Sequence, residues 1–216
     1  MPMHLTRRTA LVGFAAVGAC VGAAPARAAA SDTVPMDKLL ADGPLPDLWQ
    51  GSASAPVTMV EYASMTCTHC AAFHAETWPT LKSKYIDTGK VRFVLREFPL
   101  DVFAGAGFML ARCVGPDKRN ALTDLLFDQQ KNWAFVDKPL EALAATVKQA
   151  GLSQASFESC LQDQGMLDKV NAVRDRGAKE FGVNATPTFF INGKRVAGEL
   201  SVAELEKQLA PLLAKG

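Results

Sequence analysis

Hydrophobic and polar residues follow two different periods along the chain, and the first clear pattern is a strand–helix–strand unit. Residues 56–65 carry a run of apolar and β-branched side chains, which predicts a strand. A pattern of helical spacing begins at Cys67, and Pro79 inside it predicts a kink near Trp78. Residues 91–95 alternate again and predict a second strand, which completes a βαβ unit.

The rest of the chain predicts helices, then a hairpin and a last helix. Five helical segments separated by glycine and proline are predicted after residue 105: residues 106–114, 119–131, 139–150, 154–163 and 166–181. Residues 188–191 predict a third strand, Asn192-Gly193 a tight turn and residues 194–196 the partner strand. Residues 202–213 carry leucines on one face and predict a closing helix.

The N-terminus has the organisation of a cleavable export signal. Arg7 and Arg8 precede an uncharged stretch at residues 10–24, and small residues before the predicted cleavage site after Ala28 suit a signal peptidase. The uncharged stretch is 15 residues long. A helix needs about 20 residues to cross a bilayer, which argues against a retained membrane anchor. The twin-arginine and general secretion routes both stay open, and lipid attachment at Cys20 is an alternative.

Composition and charge are those of an ordinary globular protein. The 216 residues are enough for one domain with an insertion, and 49% are hydrophobic and 21% charged. The net charge of +1 becomes −2 without the first 28 residues, because 20 basic residues then face 22 acidic ones. This charge gives no support for nucleic-acid binding. Residues 29–56 predict a polar lead-in segment that is too short for a separate dimerisation domain, so we expect a monomer.

Two motifs, met in order along the chain, resemble those of the DsbA family of bacterial disulfide oxidoreductases. They are EYASMTCTHC at residues 61–70 and TPTFFING at residues 186–193. A lone CxxC is a weak signal, whereas the two motifs at this separation are specific. The resemblance covers essentially the whole mature chain and implies an α/β protein, a thioredoxin fold with an inserted all-helical domain. The thioredoxin part is then residues 57–99 and 181–216, and the insertion is residues 100–180.

A CxxC pair at the start of a helix favours thiol–disulfide chemistry. Unpaired backbone N–H groups and the positive end of the helix dipole stabilise a thiolate at Cys67 and lower its pKa. His69 can add a hydrogen bond or a positive charge to the same sulfur. The resemblance assigns Cys67 as the exposed nucleophile and Cys70 as the more buried resolving thiol. Thr68 and His69 form the dipeptide between them.

A metal site is the alternative interpretation of the same cysteines. Cys67, Cys70 and His74 fall at positions i, i+3 and i+7 of one predicted helix and could chelate zinc or copper. No second CxxC accompanies them. We predict that the protein uses no metal and no cofactor besides its redox-active disulfide, and we expect His74 to be a solvated helix residue.

Three further residues are parts of the site by resemblance. Glu61 lies six residues before Cys67, and a partly buried acid there would have a raised pKa and could relay the proton of Cys70. The alternative is an exposed edge carboxylate. The resemblance also implies that Pro187 is cis and lies beside the CxxC, with the backbone near Thr186 pairing with an extended substrate chain. A plain strand-initiating proline is the alternative.

Cleavage after residue 28 leaves four cysteines, an even number that suggests two disulfides in an exported protein. Cys113 and Cys160 lie in separate predicted helices, and a subset of the family carries a second, non-catalytic disulfide in this region. We predict that these two residues pair, which would stabilise the fold by about 4 kcal/mol in the chain-entropy model. Two free buried cysteines are the alternative.

The resemblance implies a periplasmic thiol:disulfide oxidoreductase that oxidises reduced or unfolded exported polypeptides. A membrane partner of the DsbB type would restore its disulfide. Two residues keep an isomerase or reductase of the same fold open. Thr68 replaces the proline typical of the oxidases, and Thr186 is the residue often found before the cis-proline of isomerases. A periplasmic metal-binding chaperone is the third alternative.

Overall fold

The computed structural model describes Met1 and residues 32–214. The export signal predicted at residues 1–28, with the candidate lipidation site Cys20, lies outside the described residues apart from Met1. In the part of the chain that the structure describes, no helix is both long and apolar enough to cross a membrane.

A four-stranded mixed sheet forms the centre of the fold, in the order β2-β1-β3-β4. The strands are β1 (Val57–Ala63), β2 (Val91–Glu97), β3 (Thr188–Ile191) and β4 (Lys194–Ala197). The β1–β2 pair is parallel, whereas β1–β3 and β3–β4 are antiparallel. Every residue of β1 is buried. Strands covered on both faces have nearly continuous apolar sequences, which explains the pattern that predicted this strand.

Helices pack around this sheet, and the chain between β2 and β3 is helical. In chain order, α1 to α10 are Met36–Leu40, Thr68–Glu76, Trp78–Leu81, Val102–Cys113, Pro116–Asp128, Gln130–Trp133, Pro139–Gln149, Gln154–Leu161, Gln164–Phe181 and Val202–Leu213. A π-helical segment, Lys82–Ile86, follows α3. The predicted order of βαβ, helices and ββα is confirmed, and with it the thioredoxin fold.

The helix predicted after Cys67 is divided close to the expected kink. The first part, α2, ends at Glu76, and α3 begins at Trp78 with Pro79 in its first turn. Proline is tolerated there because the N–H it lacks has no partner within the helix. Trp78 packs against Phe93 of β2 with ring centroids 4.7 Å apart. At the point where the helix is divided, the large side chain of Trp78 therefore packs on the sheet.

Two helices begin three or more residues earlier than the apolar pattern predicted. The α4 helix starts at Val102 because Oδ1 of Asp101 accepts hydrogen bonds from the N–H groups of Phe103 and Ala104, at 2.9 and 2.8 Å. The α5 helix starts at Pro116, again with proline in the first turn. Caps of this kind lie outside the hydrophobic periodicity, so periodicity alone places the helix start too late.

A disulfide links two helices of the region between β2 and β3. Cys113 at the end of α4 is bonded to Cys160 in α8, with the Cα atoms 6.0 Å apart. The two residues are separated by 47 positions in the sequence. The bond therefore closes a long loop and joins helices that are distant along the chain.

The β2 strand continues two residues further than predicted, and both extra residues are charged. Arg96 donates two hydrogen bonds to Asp47, at 3.0 and 2.7 Å. Glu97 is fully buried and accepts hydrogen bonds from Arg112 at 2.7 Å and from Arg119 at 2.8 Å. Charges can enter the interior when they are paired in this way, which is why the strand does not end at its apolar residues.

The lead-in segment, of which the structure describes residues 32–56, reaches both edges of the sheet. Thr33 forms an antiparallel bridge with Lys194 at the β4 edge. Gln50 forms another with Phe93 at the β2 edge, where the two residues exchange backbone hydrogen bonds of 2.8 Å. The segment therefore runs along the fold as part of it.

Candidate active site

Cys67 occupies the capping position directly before α2, with an extended backbone. Its sulfur accepts a hydrogen bond from the N–H of Cys70 at 3.4 Å, and its thiol lies 3.2 Å from the carbonyl oxygen of Thr186. Cys67 is 8% exposed, whereas Cys70 is fully buried. A molecule arriving from solvent can therefore reach only the first of the two sulfurs.

The pKa values of the two thiols are shifted in opposite directions. The pKa of Cys67 is lowered to about 6, mainly by its hydrogen bond with the Cys70 side chain. Burial opposes this shift, and the backbone N–H groups of Cys70 and His69 add to it. Burial raises the pKa of Cys70 far above its ordinary value, and the hydrogen bond to Cys67 and the charge of Glu61 raise it further. At neutral pH the reduced pair thus holds a thiolate at Cys67 and a thiol at Cys70.

The loop before β3 lies against the nucleophilic sulfur. The Thr186–Pro187 peptide bond is cis, and Pro187 is buried. The carbonyl of Thr186 meets Cys67 across a separation of 119 residues in sequence. The N–H of Gly198 donates to the carbonyl of Pro187 at 2.9 Å. The fold therefore brings the two motifs of the sequence to one place.

The dipeptide between the cysteines faces outward. Thr68 begins α2 and is exposed, and the His69 side chain is 68% exposed. The ring of His69, which we expected to act on the Cys67 sulfur, instead contacts Glu199, with Nδ1 and Oε2 3.1 Å apart. It is the backbone N–H of His69 that acts on the sulfur. Glu199 lies in the loop before α10, and no pattern in the sequence identified it.

Glu61 lies in the middle of the sheet and is fully buried. The alternative of an exposed edge carboxylate is therefore wrong. Its Oε2 is 3.1 Å from Nε2 of His74. Its Oε1 has no hydrogen-bond partner among the described residues. A buried carboxylate with one free oxygen is thus placed where its charge acts on Cys70.

The expectation that His74 is a solvated helix residue is wrong. Its side chain is 5% exposed, and its ring stacks on Phe127 of α5 with centroids 4.2 Å apart. Residues four apart on a helix share a face, so His74 is buried together with Cys70. This spacing was visible in the sequence and was the signal that could have identified His74 as a partner of Glu61.

The spacing of Cys67, Cys70 and His74 on one helix also raised the alternative of a metal site. Among residues 32–214, no group of three or more His, Cys, Asp or Glu side chains is arranged to hold a metal ion. The His74 ring meets Glu61 instead.

Two polar residues from the helical region fix the loop that carries Cys67. Buried Gln130 of α6 donates from Nε2 to the carbonyl oxygens of Met65 and Cys67, both at 2.9 Å. The second residue, Asp101 before α4, accepts a hydrogen bond of 2.6 Å from the hydroxyl of Thr66 in that loop. These contacts join residues 35 to 65 positions apart, so no local pattern could reveal them.

Fold and site together define a thioredoxin-fold protein with a dithiol at a helix start, and known proteins agree with this. A family model described as thioredoxin matches residues 45–210. The crystal structure of Wolbachia pipientis alpha-DsbA1 has a TM-score of 0.75 and 30% sequence identity, covering 83% of this chain and 96% of that one. BdbD from Bacillus subtilis shares the fold, with a TM-score of 0.66 at 21% identity over 79% of this chain and 94% of that one. The chain belongs to the DsbA family.

Curated relatives are longer than this chain. A Rickettsia typhi protein named for protein-disulfide oxidoreductase activity is 34% identical over 148 residues, which are 68% of this chain and 55% of that protein. A Rickettsia conorii protein of the same name is 35% identical over 148 residues, which are 68% of this chain and 53% of that protein. The chain thus spans about half the length of these relatives.

We expect the Cys67 thiol of the reduced protein to titrate near pH 6. Its folded pKa of about 6 lies below that of a free thiol, so the thiolate stabilises the folded, reduced protein above the free-thiol pKa. That contribution is lost as the pH falls through about 6. Thiolate absorbance in the ultraviolet, measured against pH on wild type and on Cys67→Ser, tests this. A midpoint near the free-thiol value of about 8.5 would contradict it.

Proposed function

We propose that this protein is a periplasmic thiol:disulfide oxidoreductase that introduces disulfide bonds into exported proteins through Cys67 and Cys70. The observation that carries the proposal is the asymmetry of the pair. Cys67 caps a helix, and its pKa is lowered to about 6. Cys70 is fully buried, and its pKa is strongly raised. The names of the Rickettsia relatives support the same activity.

The low pKa of Cys67 favours the direction of net oxidation. A stabilised thiolate lowers the free energy of the reduced protein, which makes the corresponding disulfide a stronger oxidant. About 30 mV of reduction potential corresponds to about 1.4 kcal/mol for this two-electron couple. A thiolate of low pKa is also a good leaving group when a substrate sulfur displaces it. Both effects drive electrons from the substrate into the Cys67–Cys70 pair.

In the proposed reaction two electrons pass from a substrate dithiol to the Cys67–Cys70 disulfide. A substrate thiolate attacks Sγ of Cys67, the S–S bond breaks, and Cys70 leaves with the electron pair and takes up a proton. A second substrate thiolate attacks the first substrate sulfur and releases Cys67 as a thiolate. The substrate dithiol loses two protons in all, of which Cys70 keeps one and solvent receives the other.

Three further residues have roles in this proposal. Glu61 passes on to Cys70 the proton that Cys70 takes up. Glu61 is suited to this role because it is buried and its charge acts on the Cys70 thiol. The backbone around Thr186 and Pro187 pairs with an extended substrate chain beside Cys67. Proline has no N–H, so this loop offers no competing hydrogen-bond donor at Pro187.

The cellular setting of the proposal rests on the sequence and on the family. The basic and apolar N-terminus predicts export to the periplasm, where cysteine pairs are oxidised. A membrane partner of the DsbB type would accept the two electrons and restore the disulfide. Reduced or unfolded exported polypeptides would be the substrates.

An isomerase or reductase is the second candidate, favoured by two threonines. Thr68 stands inside the CxxC, and Thr186 contacts the Cys67 thiol through its carbonyl. In this case the pair would be kept reduced in the cell. The same centre would then attack existing disulfides instead of donating its own.

The reduction potential of the Cys67–Cys70 pair separates these candidates. We expect a value more oxidising than about −180 mV, measured by equilibration with glutathione. Oxidation of a reduced, unfolded protein should be fast, and refolding of a scrambled one slow. The Cys67→Ala variant serves as the control in both assays. A potential below about −230 mV, in the range of cellular reductants, would reject the oxidase and favour the second candidate.

A further inference from the structure

Glu61 is joined to a second buried titratable group that the reaction above does not use. Its Oε2 lies 3.1 Å from Nε2 of His74. The other ring nitrogen, Nδ1, has no hydrogen-bond partner among the described residues and lies 3.9 Å from Oδ1 of Asp124. Glu61, His74 and Asp124 thus form a row of three titratable side chains. They come from β1, α2 and α5, so they meet only when the chain is folded.

The exposure of these side chains increases steadily along the row. The side chains of Glu61, His74 and Asp124 are 0%, 5% and 47% exposed. One end of the row therefore lies in the core, where the Glu61 charge acts on Cys70, and the other end lies in solvent. The row crosses the layer of helices that covers this part of the sheet.

Aromatic rings surround the middle of the row. His74 stacks on Phe127 at 4.2 Å and lies 5.4 and 5.5 Å from the rings of Phe73 and Trp78. All three aromatic side chains are buried. These rings have no group that exchanges protons at neutral pH. Among the contacts of His74 within residues 32–214, only the two carboxylates can therefore exchange a proton with it.

Within the described part of the chain, the charged and titratable groups around the row come from four elements. Glu61 faces His74 from β1, Cys70 lies one turn before it on α2, and Asp124 faces it from α5. Lys82 of the π-helical segment acts on Asp124 through its charge. Burial raises the pKa of Asp124, and the His74 and Lys82 charges oppose that shift. The solvent end of the row thus carries an acid of raised pKa, which is suited to exchanging protons.

We propose that His74 and Asp124 form a proton path that connects Glu61, and through it Cys70, to solvent. This inference rests on the proposed function, because it concerns the proton that Cys70 takes up or loses in each reaction. Histidine suits the middle position because its two ring nitrogens can bind a proton on one side and release it on the other. Rotation of the half-exposed Asp124 side chain, or one bridging water, closes the 3.9 Å distance.

The transfers balance in both directions. When the Cys67–Cys70 disulfide opens, Cys70 receives a proton from Glu61, Glu61 from Nε2 of His74, and His74 through Nδ1 from Asp124 or solvent. When the disulfide reforms, Cys70 must lose that proton before it can attack Cys67, and the proton leaves by the reverse route. The path moves one proton in each reaction and no electrons.

Reoxidation by oxidised glutathione tests the path because it separates the two cysteines in time. Cys67 first attacks glutathione and forms a mixed disulfide, which needs no proton transfer from Cys70. Cys70 then loses its proton, attacks Cys67 and releases the second glutathione. In His74→Gln, whose amide can still donate to Glu61, we expect normal formation of the mixed disulfide. Its resolution should be slower by about 10-fold to 100-fold, with a larger solvent deuterium isotope effect.

Asp124→Asn provides a second test at the exposed end of the row, where folding is not at risk. Asp128→Asn is its matched control, since Asp128 is exposed one turn further along α5. We expect Asp124→Asn to slow resolution and change its pH profile, and Asp128→Asn to behave as wild type. Wild-type rates of resolution in both His74→Gln and Asp124→Asn would overturn the path. Failure of the wild-type protein to form the mixed disulfide would instead reject the proposed function.

Discussion

Replacing Cys67 by serine is expected to reduce disulfide exchange to the rate measured without protein, while the chain stays folded. A serine hydroxyl is not ionised at neutral pH, and oxygen cannot form the mixed disulfide. The fold should survive because serine is among the best capping residues for a helix. Its oxygen can accept the N–H of Cys70 as the sulfur does now. The rate of oxidation of a reduced, unfolded protein measures the loss.

Two variants make this result specific to Cys67. Cys70→Ser keeps the nucleophile and removes the resolving thiol. With a disulfide-bonded substrate, Cys67 should therefore open the substrate disulfide, release one substrate thiolate and stop at the mixed disulfide. Replacing both Cys113 and Cys160 by serine should leave exchange at the active site intact, since their disulfide lies between α4 and α8. Exchange that persisted in Cys67→Ser would show that another group is the nucleophile.

The second large effect is expected from Glu97→Gln, which should destabilise the protein by about 3–5 kcal/mol. Glu97 is fully buried and lies between Arg112 and Arg119, whose side chains are only 7% and 2% exposed. Removing the carboxylate that both arginines contact leaves two buried guanidinium groups without this counter-charge, and this is the costly way to break a buried ion pair. The midpoint of urea unfolding, at unchanged slope, measures the difference.

Glu141→Gln is the matched control for that variant. Glu141 pairs with Lys138 at the surface, where the two side chains are 71% and 72% exposed, so its loss should cost less than about 1 kcal/mol. Equal effects of the two substitutions would contradict the assigned role of burial.

The effect of Glu97→Gln should also depend on pH. Burial raises the pKa of Glu97, but Arg119 and Arg112 more than offset this and hold it below its ordinary value. A depressed folded pKa contributes stability that is fully present above the unfolded value, about 4.3, and is lost as the pH falls through the folded value. The stabilities of wild type and Glu97→Gln should therefore differ most at neutral pH and converge only in acid.

The part of the site that could be predicted from sequence is the part encoded by short motifs. Cys67 and Cys70 lie together at the start of one helix, and Pro187 directly precedes a strand with a recognisable pattern. The fold class followed in the same way, because the apolar run of β1, the alternation of β2 and the hairpin turn at residues 192–193 are local signals. The four-stranded sheet confirms that class.

The rest could not be predicted because it depends on contacts between distant segments. Gln130 supports the Cys67 loop across 63 residues, and Glu199 meets His69 across 130. Single polar residues in helices and loops are usually solvated, so nothing local distinguishes these two. His74 lies between the two cases, because its spacing from Cys70 was visible but its partner Glu61 is supplied by another element.

The lead-in segment has a consequence for how copies of this protein behave at high concentration. The outer strand of a sheet offers unpaired N–H and C=O groups on which another chain can add a strand. Here Thr33 bridges to Lys194 on one outer strand, and Gln50 pairs with Phe93 on the other. The chain thereby covers part of each of its own sheet edges, which opposes strand-by-strand growth into aggregates.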